Sequence, residues 1–283
     1  MPARRLAYVI FVCLIVIGLA WSAMASAVWA QGGMPEGDVP GDERSVLGAG
    51  GWRSEGAWAQ SGGQAAGGVA ENVELVGQIG GATWAVAVQG HYAYIGVGPR
   101  LAVLDISPPS SPAVAGKTPP FPGIVSGVVV AGSYAYVADE VGLRVIDVSD
   151  PPSLTEVGFY DTPGRAKGVM VVGSYAYIAD YESGLRVIDV SDPTSPTEVG
   201  FYDTPGWARD VAVVGRYAYI ADWAGGLRVV DVSDPFSPTE VSFFSDTYGA
   251  RGVAVAEGYA FVADEWTGLR VIDVSDPACL VEI

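Results

Sequence analysis

The chain has 283 residues, 50% of them apolar, and carries 15 Lys and Arg against 32 Asp and Glu, a formal charge of −17. That is enough apolar material for a sizeable core. The acidic excess excludes nucleic acid and anionic membrane surfaces as partners, because both require clustered Lys and Arg to displace counterions.

The amino terminus, residues 1–30, reads as an export signal: Arg4 and Arg5 form a basic start, Leu6 to Ala20 an apolar run, and small residues follow, with cleavage sites after Ala25, Ala27 or Ala30. The apolar run is short for a bilayer span of roughly 20 residues. It continues weakly through Trp29, so an uncleaved anchor stays open beside a cleaved signal. After cleavage no membrane-spanning segment is expected. Cys13 lies inside the signal, which leaves Cys279 as the one Cys of the mature chain and allows no internal disulfide. Residues 31–70 shift to Gly, Ala, Ser and Gln with no apolar period, the composition of a flexible linker.

Residues 71–283 are repetitive. The triplet YAY, or YAF, recurs at Tyr92, Tyr134, Tyr175, Tyr217 and Tyr259, at spacings of 42, 41, 42 and 42. Each copy leads into a run such as GLRVIDVSDP, with Asp105, Asp147, Asp189, Asp231 and Asp273 in register. One unit reads VGFYDTPG, ARDVAVVG, RYAYIAD and GLRVVDVSDP, four short runs rich in Val, Ile, Tyr and Phe and bounded by Gly, Pro, Asp or Ser. These are strands, labelled d, a, b and c in chain order. Gly132, Gly173 and Gly215 supply a tight a-to-b hairpin, and Ser-Asp-Pro the c-to-d turn. Strands a and c are apolar at nearly every position, so their sheets must be covered on both faces, as propeller blades are. No helical period is present, which removes helical solenoids. The expected fold is therefore all-β: a β-propeller of four-stranded antiparallel blades, five in this chain.

The runs LAVLD, LRVID, LRVID, LRVVD and LRVID at Leu101, Leu143, Leu185, Leu227 and Leu269, with the preceding YAYVAD and following SDP, resemble the LVIVD-repeat family of bacterial and archaeal surface proteins. The resemblance implies a β-propeller exposed outside the cytoplasm, with no established catalytic chemistry. Two departures stand out. The first repeat has Gly96 and Val97 in place of Ala-Asp and a longer turn at Ser107 to Pro112. The chain stops at Ile283, in register with Val157 in mid-strand d, as either a capping repeat or a shortened reading frame would. The ring is thus expected to be truncated or open, unless Val73 to Ile79, which reads as an extra strand d, completes the last sheet.

Catalytic chemistry finds few reagents. His91 is the only His, so Ser-His triads and multi-His zinc sites are excluded by count, and it falls at an exposed position of the a-to-b hairpin. Neither a phosphate-binding Gly loop nor an EF-hand loop is present, and no cofactor or metal is expected. Carboxylates are abundant. Asp139, Asp180, Asp222 and Asp264 end strand b, on the face where the b-to-c and d-to-a loops emerge, while Trp84, Lys167, Arg209 and Arg251 begin strand a on the same face. These acids have a structural reading, hydrogen bonding to loop amides or pairing with Lys167, Arg209 and Arg251. They also have functional ones, a polar ligand site or a glycosidase pair. Asp147 and its equivalents are expected to organise the SDP turn or pair with Arg144, Arg186, Arg228 and Arg270.

Positions that differ between copies are the informative ones, since a scaffold needs repetition and a ligand site does not. They concentrate at Glu140, Tyr181, Glu182, Trp223, Glu265 and Trp266 in the b-to-c loop, and at Arg165, Trp207 and Tyr248 in the d-to-a loop. Trp, Tyr and Arg on loops suit binding surfaces. The resulting expectation is a secreted or envelope-bound, non-catalytic module whose loop face takes a protein or glycan. A carbohydrate-active hydrolase and a purely structural envelope component are the alternatives.

Overall fold

A computed structural model describes residues 83–283. The proposed signal, the linker and the strand-like segment Val73 to Ile79 lie outside the described residues. The described chain forms five four-stranded antiparallel sheets, the blades of a propeller-like fold. Blade 1 comprises β1 (Val86–Gln89), β2 (Tyr92–Gly96), β3 (Leu101–Asp105) and β4 (Ala113–Lys117); blade 2, β5 (Gly127–Ala131), β6 (Tyr134–Ala138), β7 (Gly142–Asp147) and β8 (Thr155–Asp161). Blade 3 holds β9 (Gly168–Val172), β10 (Tyr175–Ala179), β11 (Leu185–Asp189) and β12 (Thr197–Tyr202); blade 4, β13 (Asp210–Val214), β14 (Tyr217–Ala221), β15 (Leu227–Asp231) and β16 (Thr239–Phe244). Blade 5 holds β17 (Ala250–Ala256), β18 (Tyr259–Asp264), β19 (Gly268–Asp273) and the two-residue β20 (Val281–Glu282). The one helical turn among the described residues is a 3-10 turn at Pro151–Ser153.

Each sheet runs a-b-c-d. A blade therefore takes the d strand that follows its own c strand, and the blade boundary falls at the DTPG loop. The reason is connection length. The tight SDP turn can only return the chain antiparallel to its neighbour, whereas the d-to-a loop is long enough to cross to the next blade. In the SDP turns Asp105, Asp147, Asp189, Asp231 and Asp273 each accept the amide hydrogen of the Ser two residues on, at 2.8–2.9 Å. In Asp105 and Asp273 the Ser hydroxyl and amide hold the carboxyl below the usual range. This is the turn-organising role expected of them; Arg144, Arg186 and Arg228 reach other acids.

Inner strands β1, β5, β9, β13 and β17 follow one another as spatial neighbours. Blades stack through one recurrent interface. Tyr177, Ala179, Leu185 and Val187 on the forward face of blade 3 meet Ala218, Ile220, Val230 and Val232 on the back face of blade 4. The same positions pair at the other three interfaces. This explains the apolar run of strand c, and of strand b beside it: both faces are buried, at about 1.5–3 kcal/mol per large side chain, whereas strand a, expected to be covered like strand c, is only partly buried. At the forward face of blade 5 the pattern breaks. Leu101, Leu143, Leu185 and Leu227 are fully buried, whereas their equivalent Leu269 is 60% exposed.

Outer strands are pinned by a glycine. A Cβ on Gly158 of β8 would lie 2.2 Å from the Pro193 carbonyl oxygen of the next blade, and one on Gly200 of β12 at 2.2 Å from that of Pro235. In β16 the position is Ser242, whose hydroxyl donates to the Pro277 carbonyl at 2.5 Å. The hairpin glycines 132, 173 and 215 all have φ of 61°, as the tight turn requires.

Candidate functional site

The acids that end strand b are not a solvent-facing ring. Asp139, Asp180 and Asp222 have no accessible surface and Asp264 little. Asp180 accepts the Thr162 hydroxyl at 2.5 Å and the Gly164 amide at 2.8 Å, and Asp222 accepts those of Thr204 and Gly206 at the same distances. Asp139 accepts the amides of Val141 and Gly142, and Asp264 those of Gly249, Trp266 and Thr267. Each carboxylate thus ties its own b-to-c turn, or the d-to-a loop arriving from the preceding blade. Their cations are not Lys167, Arg209 and Arg251 but the c-strand arginines. Arg144 Nε lies 3.1 Å from Asp139, and Arg186 and Arg228 lie 4.0 and 3.7 Å from Asp180 and Asp222. Residue types alone could not separate the two sets of arginines, whereas the antiparallel b–c register sets the c-strand guanidinium beside the end of strand b. Burial pushes the Asp180 carboxyl up and that of Asp222 to about 6. Burial also raises Asp264, but its backbone hydrogen bonds outweigh this and leave it lowered.

Freed from those acids, the strand-a cations meet the loop aromatics. Tyr181 stacks on Trp207 at 4.9 Å, and Trp207 lies 6.1 Å from Trp223, tilted by 31°. Arg209 sits between two rings, 4.7 Å from Tyr181 and 4.5 Å from Trp223; Arg251 covers Trp223 at 4.6 Å. Arg165 lies over Tyr181 at 4.5 Å, and Lys167 is 5.8 Å from the same ring. Loops of three successive blades therefore build one cationic-aromatic patch. Around it Lys167 pairs with Glu140, Arg165 with Glu182 at 3.8 Å, and Arg251 with Glu265 at 2.9 Å.

The backbone beneath is strained. Glu140, Tyr181 and Trp223, the residues after the buried Asp, have φ of 66°, 49° and 47°, a left-handed conformation that costs non-Gly residues of order 1 kcal/mol or more. Contacts between blades impose it. Tyr181 exchanges two backbone hydrogen bonds with Ala208 at 2.9 Å, and Trp223 two with Ala250 at 3.0 and 3.2 Å. The aromatic side chain is thereby aimed along the rim.

The other expected residues lie apart from the stack. Trp266 and Tyr248, on the same rim in blade 5, are each 71% exposed, and Trp84 in blade 1 is also exposed. None of the three makes a ring contact with the cluster among the described residues. His91 is an exposed hairpin residue beside Tyr92. Two open depressions of about 310 Å³ lie away from the patch, along Glu156–Phe159 and at the a-to-b hairpins around His91. Neither depression is lined by residues of the cluster. Among the described residues no group of three or more His, Cys, Asp or Glu could hold a metal, and no helix is long and apolar enough to cross a membrane.

One residue escaped the sequence reading. Asp210 opens β13 where other repeats have Ala85, Gly127, Gly168 and Gly252. Its carboxylate accepts the Val211 amide at 2.9 Å and, across to blade 5, the Val253 amide at 3.0 Å. The side chain keeps some accessible surface but is enclosed by the inner strands, and desolvation pushes its carboxyl up to about 6. Its signal in the chain is an acid at a register position that holds Gly in three of the other repeats and Ala in the fourth.

Four-stranded blades, shared inter-blade apolar positions and Asp-anchored turns define a propeller-like repeat protein whose variable groups gather on one rim. The LVIVD repeat matches residues 80–118, 122–162, 163–204, 205–246 and 249–283, and the chain belongs to the LVIVD-repeat family. No curated protein matches it. Among solved structures it is similar to the computationally designed Ika8 protein (TM-score 0.54, 10% identity, 71% of this chain and 61% of that one). It is also similar to a putative 6-phosphogluconolactonase from Bacteroides fragilis (0.62, 14%, 70% and 68%). A functionally unknown protein from Desulfotomaculum acetoxidans is a third (0.62, 11%, 72% and 70%). At these identities the likeness concerns the fold alone. The chain spans less than two thirds of the designed protein's length.

Proposed function

We propose that this is an exported, non-catalytic binding scaffold that takes a protein or glycan ligand on the rim carrying Tyr181, Trp207, Trp223 and Arg209. The observation that supports it best is the convergence of differing residues from three blades on one patch, held there by left-handed backbone at Tyr181 and Trp223. The left-handed backbone, imposed by hydrogen bonds between blades, holds these loop side chains on a rigid frame, where recognition residues are usually carried. The hydrolase alternative is weakened because Asp139, Asp180 and Asp222 are enclosed within turns. Export rests on the basic and apolar amino terminus.

Trp223 is a poor probe of binding, since its backbone bridges two blades and two arginines cover its ring. Trp207 and Trp266, 43% and 71% exposed, are better. The double variant Trp207→Ala/Trp266→Ala is expected to lose at least about tenfold in affinity for ligands captured on glycan and extracellular-protein arrays. Its melting temperature should stay within about 2 °C of the parent. Undiminished capture by a folded double variant would rule the rim out. Turnover of a glycoside that vanished in an Asp→Asn variant would favour the enzyme instead.

A further inference from the structure

One cation of the patch stands apart from the others in its partners. Arg165, Lys167 and Arg251 pair with Glu182, Glu140 and Glu265, while Arg209 lies between two rings. Each carboxylate is taken by a cation other than Arg209, which has no acidic partner within 4.0 Å among the described residues. One of its terminal nitrogens donates to the Tyr181 hydroxyl at 3.3 Å, and its buried Nε has no acceptor. A guanidinium offers five donors and pairs best with a planar carboxylate. Held between two rings and half-buried, this one is oriented before any ligand arrives.

Building on the rim-binding reading, we infer that the ligand is a saccharide bearing a single carboxylate, its acid on Arg209 and its ring against Trp207. A single guanidinium without a carboxylate of its own answers one carboxylate, while the charge of −17 repels polyanions such as nucleic acid and long acidic peptides. The indole of Trp207 stacks on Tyr181 yet stays 43% exposed, leaving apolar surface beside the guanidinium for the C–H face of a sugar. A uronate and a sialate share this chemistry.

The test is calorimetric titration of the full chain with digalacturonate, sialyllactose, lactose and tetraglutamate. The parent, Arg209→Gln, Arg209→Lys, Trp207→Ala and, as a control on the opposite rim, Arg216→Gln are compared. Digalacturonate or sialyllactose should bind, lactose should not, and Arg209→Gln should lose at least about tenfold. Arg209→Lys, which keeps the charge without the planar fork, should fall between, and stands in for Arg209→Gln if that variant fails to fold. Binding of lactose as tight as that of sialyllactose, lost in Trp207→Ala and unaffected at Arg209, would overturn the acidic ligand and leave the rim reading standing. Acidic-sugar binding unaltered in both Arg209 and Trp207 variants would overturn the rim reading itself. Tetraglutamate alone binding through Arg209 would replace the saccharide by a peptide, and no binding by any probe would also overturn the inference.

Discussion

At the scale of single residues, Asp210 shows how a carboxylate can serve packing and still carry a penalty. It bridges blades 4 and 5 through the Val253 amide, yet desolvation raises its carboxyl to about 6 from 3.8. A raised acid binds its proton more tightly in the folded state. Between pH of about 4 and 6 folding therefore takes up a proton, and stability falls as pH rises; above 6 the full penalty is present. Asp222, also raised to about 6, acts with the same sign. The comparison of Asp210→Asn with the parent isolates Asp210. The stability of the variant relative to the parent should increase between pH 4 and pH 7 in urea titrations, and a pH-independent difference would rule out titration of this carboxyl. Asp180 and Asp222 bear on legibility as well. Their recurrence reads as scaffold, and in the structure they accept hydrogen bonds from Thr162 and Thr204 of the incoming loops. Which arginine reaches them depended on the b–c register, which composition does not encode.

At the scale of the element, the outer strand is the most telling. VGF reads as a strand, and its glycine reads as a weak point, since Gly lowers strand propensity. The structure gives the reason: in β8 and β12 the next blade's turn carbonyl occupies the space of a Cβ, 2.2 Å away at Gly158. Gly158→Ala should push β8 from its neighbour and cost about 1–3 kcal/mol, measured by chemical denaturation. Ser242→Ala, at the equivalent site already adapted to a side chain, should lose only a hydrogen bond, about 1 kcal/mol. Equal effects would show that the close approach is unimportant. The blade boundary is a further element-scale lesson. The repeat can be cut at any phase in sequence, and only strand pairing shows that d closes the sheet of the preceding a, b and c.

At the scale of the whole molecule, four equivalent interfaces carry the fold among the described residues, and the matching apolar position of blade 5, Leu269, is 60% exposed. Leu185→Ala, fully buried between blades 3 and 4, should cost about 2–5 kcal/mol. Leu269→Ala, at the same register position but 60% exposed, should cost about 0.5 kcal/mol in a dilute monomer. A loss at Leu269 as large as at Leu185 would mean that this face is covered in solution.

The repeat, the strand content, the SDP turn and the loops on which differing residues gather are legible along the chain alone, because period, turn chemistry and apolar runs are local properties that survive without neighbours. Only the tertiary structure decided which charges meet. Blade stacking buries the strand-b acids against the c-strand arginines, and leaves Arg209 between Tyr181 and Trp223 without an acid of its own. The acid–arginine pairs join adjacent strands of one blade and the Arg209 cluster joins two blades, so strand register, blade packing and burial, not residue type, select them.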